Sequence, residues 1–331
     1  MIYGFDFTDN ICYISSYDGD ETKELPACPC PIEIEERMAF INDYRKDTQD
    51  AAVITVETLT KELVDAVEKE KNLTFLSKEE AFVEYVLQNE KGVWQRNTAV
   101  FEFHKGSFCF YAAGRRGKTI MTEKEDIMLP EKGLNSAREK DKFFTKWVAD
   151  KLNHRQISTV YLIGEEFEGE WMELSLASVC HGRRVFMGNH LFSTGAMLWK
   201  AKPLEKKDKV MTGDYHPYYW GIRAFHQGKK DVFVPIIQPG SLWFHTEGRI
   251  DVLMDECEEL EIEGMHSISR QEMKLTMPLG LRQEHPTRTS KYRITMRCTG
   301  TKGMVAAVYD IGFGASRKGT GLIYQEEFKL P

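Results

Sequence analysis

Two acidic residues stand near the ends of apolar, strand-like runs. Asp6 lies in Tyr3-Gly4-Phe5-Asp6-Phe7-Thr8 and Glu102 in Thr98-Ala99-Val100-Phe101-Glu102-Phe103. Each run is followed by turn residues and a second apolar run, so each acid sits on a β-hairpin. Two such hairpins can grip a nucleoside triphosphate. Turn N–H groups meet the phosphates, the acids hold a hydrated metal, and glycine or hydroxyl positions admit close approach. No Ser/His/Asp or Cys/His nucleophile arrangement can be read from spacing.

The other chemically suggestive groups read as structure. Cys28-Pro29-Cys30 is a C-x-C without a second cysteine pair or a nearby histidine, and reads as two thiols in a proline-rich turn. His181, His190, His216, His226 and His245 lack zinc-ligand spacing with any cysteine, so no metal site is expected. Arg115-Arg116-Gly117-Lys118 and His181-Gly182-Arg183-Arg184 read as solvated basic turns. Asp310-Ile311-Gly312-Phe313-Gly314 looks like a phosphate loop, but it lies between late strands and reads as a turn.

The elements that would carry the hairpins follow from periodicity. Helices are expected over 33–44, 60–71, 77–89, 142–153, 171–180 and 194–199, with buried strands at 51–56 and 158–163. Ser77-Lys78-Glu79-Glu80 is a capping-box-like start, and Thr60 is positioned as a cap. The charged stretch 122–142 reads as a loop. Lys202 to Lys209, charged and interrupted by Pro203, reads as a linker. From Tyr219 onward short strands alternate with turns, including one at 240–247, which predicts an all-β sandwich-like domain. A formal net charge of −7 gives no support to a nucleic-acid partner. No run approaches the ~18 apolar residues of a membrane helix. With no basic leader before the first strand and seven scattered cysteines, a cytoplasmic location is expected.

In order along the chain, these motifs resemble the actin-like and heat-shock-chaperone ATPase superfamily, in shortened and degenerate form. Residues 3–12 correspond to the first phosphate loop, usually an Asp then Gly-Thr-Thr-x-Ser. Residues 72–85 correspond to the helix lead-in ending in Glu-Pro-x-Ala-Ala. Residues 98–108 correspond to the second loop, Asp-x-Gly-x-x-Thr. Val160 to Phe167 corresponds to the adenosine loop, normally a strand then Gly-Gly. Val185-Phe186-Met187-Gly188 and Gly195-Ala196 correspond to the last strand and the closing helix. The Gly182-Arg183-Arg184-Val185-Phe186 stretch and the β-rich tail are similar to those of a bacterial family of shortened chaperone-like proteins.

The resemblance implies an α/β fold: a duplicated actin-like ATPase (ribonuclease H-like) core with reduced peripheral subdomains, followed by the β-rich domain. The core spans 1–201 in two lobes, about 1–113 and 114–201, with a linker at 202–212 and the β-rich domain at 213–331. If a nucleotide binds, the resemblance assigns its contacts to Asp6, Thr8, Glu102, Gly106, Gly164 and Gly188. The departures argue against binding. Phe7 stands for a glycine, His104 for another, and Glu165-Glu166 for the Gly-Gly, adding bulk and negative charge. The expectation is a non-hydrolysing, chaperone-like binding or scaffold protein without cofactor, engaging a protein or extended peptide through its β-rich domain. The aromatic stretch 215–220 is a candidate contact, but packing of these rings at the seam between the domains is the favoured reading. Two alternatives stand beside it: an ATPase or nucleotide sensor using ATP with Mg²⁺ between Asp6 and Glu102, and a structural subunit of a larger assembly.

Overall fold

The computed structural model describes residues 1–8, 11–47, 49–88, 97–117, 119–203, 209–254, 258–279 and 291–330. The chain divides into two compact units, Met1–Thr212 and Gly213–Pro331.

The first unit holds two mixed sheets built on one plan. In the first sheet, β1 (Ile2–Thr8), β2 (Ile11–Tyr17) and β3 (Thr22–Pro29) form an antiparallel meander. β4 (Ala51–Val56) pairs parallel with β1, and β5 (Leu73–Ser77) parallel with β4, for an order β3-β2-β1-β4-β5. In the second sheet β6 (Asn97–His104), β7 (Ser107–Arg116) and β8 (Thr119–Asp126) repeat the meander. β9 (Ile157–Ile163) and β10 (Arg184–Met187) repeat the parallel extension. Three helices accompany each sheet at equivalent places in the chain. These are α1 (Ile34–Tyr44), α2 (Lys61–Glu68) and α3 (Lys78–Gln88), then α4 (Ala137–Leu152), α5 (Leu174–Cys180) and α6 (Leu191–Ala201). Every residue of β4 is buried, as a parallel strand covered on both faces requires.

The structure moves two expected boundaries. The lobes do not divide near residue 113, because β6 and β7 both belong to the second sheet. The expected linker 202–212 contains a strand, β11 (Lys209–Met211), paired parallel with β8; residues 204–208 lie outside the described residues. The stretch 122–142 is not a loop throughout: it holds the end of β8 and the start of α4. β3 went unread because it is an exposed edge strand with no apolar alternation and two prolines.

Small residues let α6 lie close against the first sheet and α3. A Cβ on Gly4 would fall 1.9 Å from the Ser193 carbonyl oxygen, and one on Gly195 would fall 2.0 Å from that of Ala81. Ser15 Oγ of β2 lies 2.9 Å from Ser193 Oγ and 2.8 Å from Thr194 Oγ1, so this contact is also tied by polar groups.

The second unit consists of two four-stranded antiparallel sheets sharing one apolar core. One has the order β13-β12-β15-β16, from β12 (Tyr218–His226), β13 (Lys229–Ile237), β15 (Glu259–His266) and β16 (Glu272–Pro278). The other has the order β14-β17-β18-β19, from β14 (Glu247–Leu253), β17 (Lys291–Cys298), β18 (Gly303–Gly312) and β19 (Lys318–Lys329). Trp220, Ile262 and Met277 from the first meet Ile294, Met304 and Val308 from the second. The aromatic stretch 215–220, for which packing at the seam between the domains is the favoured expectation, instead contributes to the core of this unit. His216, Tyr218 and Trp220 are buried, the last two in this core, because alternation along β12 turns them inward. The strand expected at 240–247 is instead a bridge at Leu242 and a short 3₁₀ turn at Trp243–His245, with Glu247 opening β14.

Candidate functional site

The ends of β1 and β6 carry matching triplets, Asp6-Phe7-Thr8 and Glu102-Phe103-His104. Alternation places Asp6 and Thr8 on one face of β1 and Phe7 on the other. The Phe7 ring stacks on Phe5 at 6.0 Å and meets Phe40 of α1, with the Arg37 guanidinium 5.2 Å above it. Phe7 therefore does not fill the space between the hairpins, contrary to expectation.

A side chain that sequence reasoning did not single out fills that space. Ser77 caps α3 through a reciprocal box: its Oγ accepts from the Glu80 N–H at 3.2 Å, and Glu80 Oε2 accepts from the Ser77 N–H at 3.1 Å. This makes Lys78 the first helical residue, where the positive end of the helix disfavours a cation. The lysine is nonetheless buried. Its Nζ donates to Glu102 Oε1 at 2.6 Å and to Thr8 Oγ1 at 2.7 Å. It lies 3.8 Å from Asp6 Oδ1 and 5.0 Å from the centre of the Phe192 ring. Asp6 Oδ1 accepts from Thr8 Oγ1 at 3.0 Å and Thr55 Oγ1 at 3.1 Å, while its Oδ2 has no partner among the described residues. Glu102 Oε2 accepts from the Tyr111 hydroxyl at 2.9 Å.

The cluster continues outward through His104. Its Nε2 lies 3.3 Å from Glu102 Oε1, without hydrogen-bond alignment, and its Nδ1 bonds Glu165 Oε2. Glu165 Oε1 also accepts from the Lys105 N–H at 2.8 Å. The negative charge expected at 165 is thus committed inside the protein.

Protonation follows from these contacts. Burial raises the Asp6 pKa above the ordinary carboxyl range, with Lys78 opposing and the Glu102 charge adding. Burial pushes the same way at Glu102, but Lys78 and then His104 outweigh it and bring the carboxyl down to about 2. At Lys78 burial acts to lower the pKa, yet the charges of Asp6 and Glu102 carry it above its usual value. His104 behaves alike: Glu102 and Glu165 overcome burial and raise it to about 9. At neutral pH Glu102 is anionic and both Lys78 and His104 are cationic.

A magnesium ion held by Asp6 and Glu102 would have to displace the Lys78 ammonium. In this arrangement the residues do not fit a metal-bridged triphosphate. When Ala81 is set on the first alanine of Glu-Pro-x-Ala-Ala, Lys78 falls on the glutamate, a reversal of charge. That register, together with a lysine at the start of a capped helix, was the signal in the sequence.

Asp6, Thr8 and Glu102 are thus together. The three glycines do backbone work. Gly106 (φ +96°) closes the β6–β7 turn. Gly164 (φ +111°) packs where a Cβ would lie 2.0 Å from the Phe103 carbonyl oxygen. Gly188 donates to the Leu162 carbonyl at 3.2 Å. Arg183 donates to the carbonyls of Ser178 and Leu152. Asp310 accepts from the Gly312 N–H and from Arg317, holding the glycine-rich stretch as a turn.

Among the described residues, one group has donor atoms close enough together for a metal. In Glu57, Cys109 and Asp126 they lie within 4.8 Å of one another. Lys124 Nζ already sits 3.4 Å from Glu57 and 3.6 Å from Asp126, and burial pushes the Cys109 thiol far up, so the set is occupied by an internal cation. No described helix is long and apolar enough to cross a membrane.

The molecule is therefore a mixed α/β unit with a sealed charge cluster, joined to an all-β unit. The chain belongs to the family described as "family of unknown function (DUF5716) C-terminal", whose model matches residues 34–212. A second family model, "domain of unknown function (DUF8552)", matches residues 215–330. No curated protein matches the chain. Among solved structures it is similar to the ethanolamine utilization protein EutJ from Carboxydothermus hydrogenoformans (13% identity, 59% of this chain and 89% of that one, TM-score 0.40). It is also similar to component A of the (R)-2-hydroxyglutaryl-CoA dehydratase of Acidaminococcus fermentans (9%, 61% and 99%, 0.40). A third similar structure is the ROK hexokinase of Thermus thermophilus (9%, 60% and 96%, 0.36).

Proposed function

We propose that the first unit is a degenerate actin-like ATPase core, a non-hydrolysing and chaperone-like scaffold, and that the second unit, a β-sandwich, engages a protein or extended peptide. The observation that carries this reading is the Lys78 ammonium, 2.6 Å from Glu102 and 3.8 Å from Asp6. A fixed cation there supplies the positive charge that a metal would bring, and ties β1 to β6 without a nucleotide. In the second unit, support comes from a groove of about 1210 Å³ lined by Ile222, Phe225, Val234, Ile250 and Leu260, with Phe225 69% exposed. Arg223, Lys230, Asp231, Asp251 and Lys291 also line it, and a groove of mixed apolar and charged character suits an extended segment.

The test is a titration of labelled ATP with Mg²⁺ into the intact protein and into Asp6→Ala. The expected outcome is no saturable binding to either. Micromolar, magnesium-dependent binding that Asp6→Ala weakens would overturn the reading in favour of a working nucleotide site.

A further inference from the structure

The sheet of β14, β17, β18 and β19 turns Ile294, Met296, Met304 and Val308 into the core. Alternation sends the neighbouring residues to its other face. There the face is hollow, with a volume of about 450 Å³. The floor is made of short side chains on β18, Val305 and Ala307. The walls are longer ones: Arg249 from β14, Arg297 from β17 and Gln325 from β19. Ala307 is only 2% exposed although it faces outward, so the walls stand well above it.

Pairing fixes how the walls are arranged. Arg249 lies opposite Thr295, which lies opposite Ala307, which lies opposite Gln325. Arg297 is two residues beyond Thr295, which makes it the diagonal neighbour of Arg249. Diagonal partners on adjacent strands are about 7–8 Å apart, within reach of long side chains. The two guanidinium groups can therefore converge over one point.

Their electrostatic situation is unusual for this unit. Arg223 is forked on Glu263, with Nε 3.0 and 2.9 Å from its two oxygens, and Arg293 on Asp251 at 2.8 and 3.0 Å. Arg249 and Arg297 have neither a carboxylate within 4.0 Å nor a side-chain hydrogen bond among the described residues. The chain has 51 acidic residues to 44 basic ones, so partners are not scarce. The competing charges by register are Glu247, directly across from Arg297, and Asp251, two residues on from Arg249 and within reach of its charge but forked on Arg293. Thr295 and Tyr309 add hydroxyls, and Gln325 an amide, to the same hollow. Paired guanidinium forks with neutral donors around a small floor complement an oxyanion on a compact body.

We propose that this hollow binds a small molecule through a phosphate or carboxylate group held between Arg249 and Arg297. The test follows backbone amide shifts of Thr295 and Ala307 in the full chain during titration with inorganic phosphate and, separately, with succinate, at matched ionic strength in sodium chloride. Saturable shifts with at least one anion are expected, weakened at least tenfold by Arg249→Gln and by Arg297→Gln. The anion that saturates identifies the ligand group as phosphate or carboxylate. Glu247→Gln, which removes the competing negative charge, is expected to tighten binding. If neither anion saturates, or if the arginine variants retain wild-type affinity, or if Glu247→Gln weakens binding, the proposal is wrong.

Discussion

Asp6-Phe7-Thr8 and Glu102-Phe103-His104 end equivalent strands of two sheets that share one five-strand plan, yet their acids are driven in opposite directions. Asp6 is pushed toward the neutral form and Glu102 is held anionic at about 2. Both are buried. The difference lies in contact with cations: Lys78 hydrogen-bonds Glu102 at 2.6 Å and stands 3.8 Å from Asp6, and His104 places a second positive charge beside Glu102. Burial by itself favours the uncharged acid, and a hydrogen-bonded ammonium reverses that preference only for the acid it touches. A duplicated fold can thus carry two acids at matched sites with different chemistry, decided by a lysine belonging to neither hairpin together with a histidine of the second.

The most severe way to break this comparison is Lys78→Met. It leaves buried Glu102 without its hydrogen-bonded ammonium, facing only the His104 cation at 3.3 Å and the Tyr111 hydroxyl, and is expected to cost about 3–5 kcal/mol of unfolding free energy, read by urea denaturation. A loss under about 1 kcal/mol would show that the ammonium does not control the cluster. Next, Glu102→Gln and Asp6→Asn should separate. The first breaks a charge-assisted bond to a buried lysine and is expected to cost about 2–3 kcal/mol; the second removes less, about 1 kcal/mol. Equal losses would erase the asymmetry.

His104 sharpens the picture through pH. Its folded pKa of about 9 lies above the ordinary ~6.5, so its contribution is complete below about 6.5 and is lost as pH rises through 9. At most about 3 kcal/mol is involved. His104→Gln should flatten the fall in melting temperature over that window. Glu102 acts at the other end: its contribution is present above about 4.3 and disappears as pH drops through 2. The smallest effect is expected from Ser77→Ala, which removes the cap that presents Lys78, at about 1 kcal/mol. Calorimetry on the two variants covers both expectations.

Mixed α/β character was legible because β4, β9 and the helices of the first unit have strong periodicity or continuous apolar runs. The acids were legible because each follows an apolar strand and precedes a turn. Lys78 was not, because Ser77-Lys78-Glu79-Glu80 reads locally as a solvated, charged first turn. Only the approach of β6 to the start of α3 buries it. Phe7 was misjudged for a similar reason: position in a motif says nothing about which face of a strand a side chain takes, and β1 turns Phe7 toward α1. The rings of 215–220 were legible as packing groups, but a run of large rings gives no sign of its own alternation and so not of which core it enters. His104 and Glu165 were each read as an obstacle to a ligand, whereas in the folded chain they neutralise one another.

β11 has a practical consequence. The second sheet is completed only after α6, when Lys209–Met211 pairs with β8. A fragment ending at residue 201 would leave β8 with unpaired N–H and C=O groups along Thr119–Met121, next to the buried Ile120. Open strand edges recruit strands from other chains. Such a fragment is expected to aggregate on purification, whereas one reaching Thr212 carries its own cover.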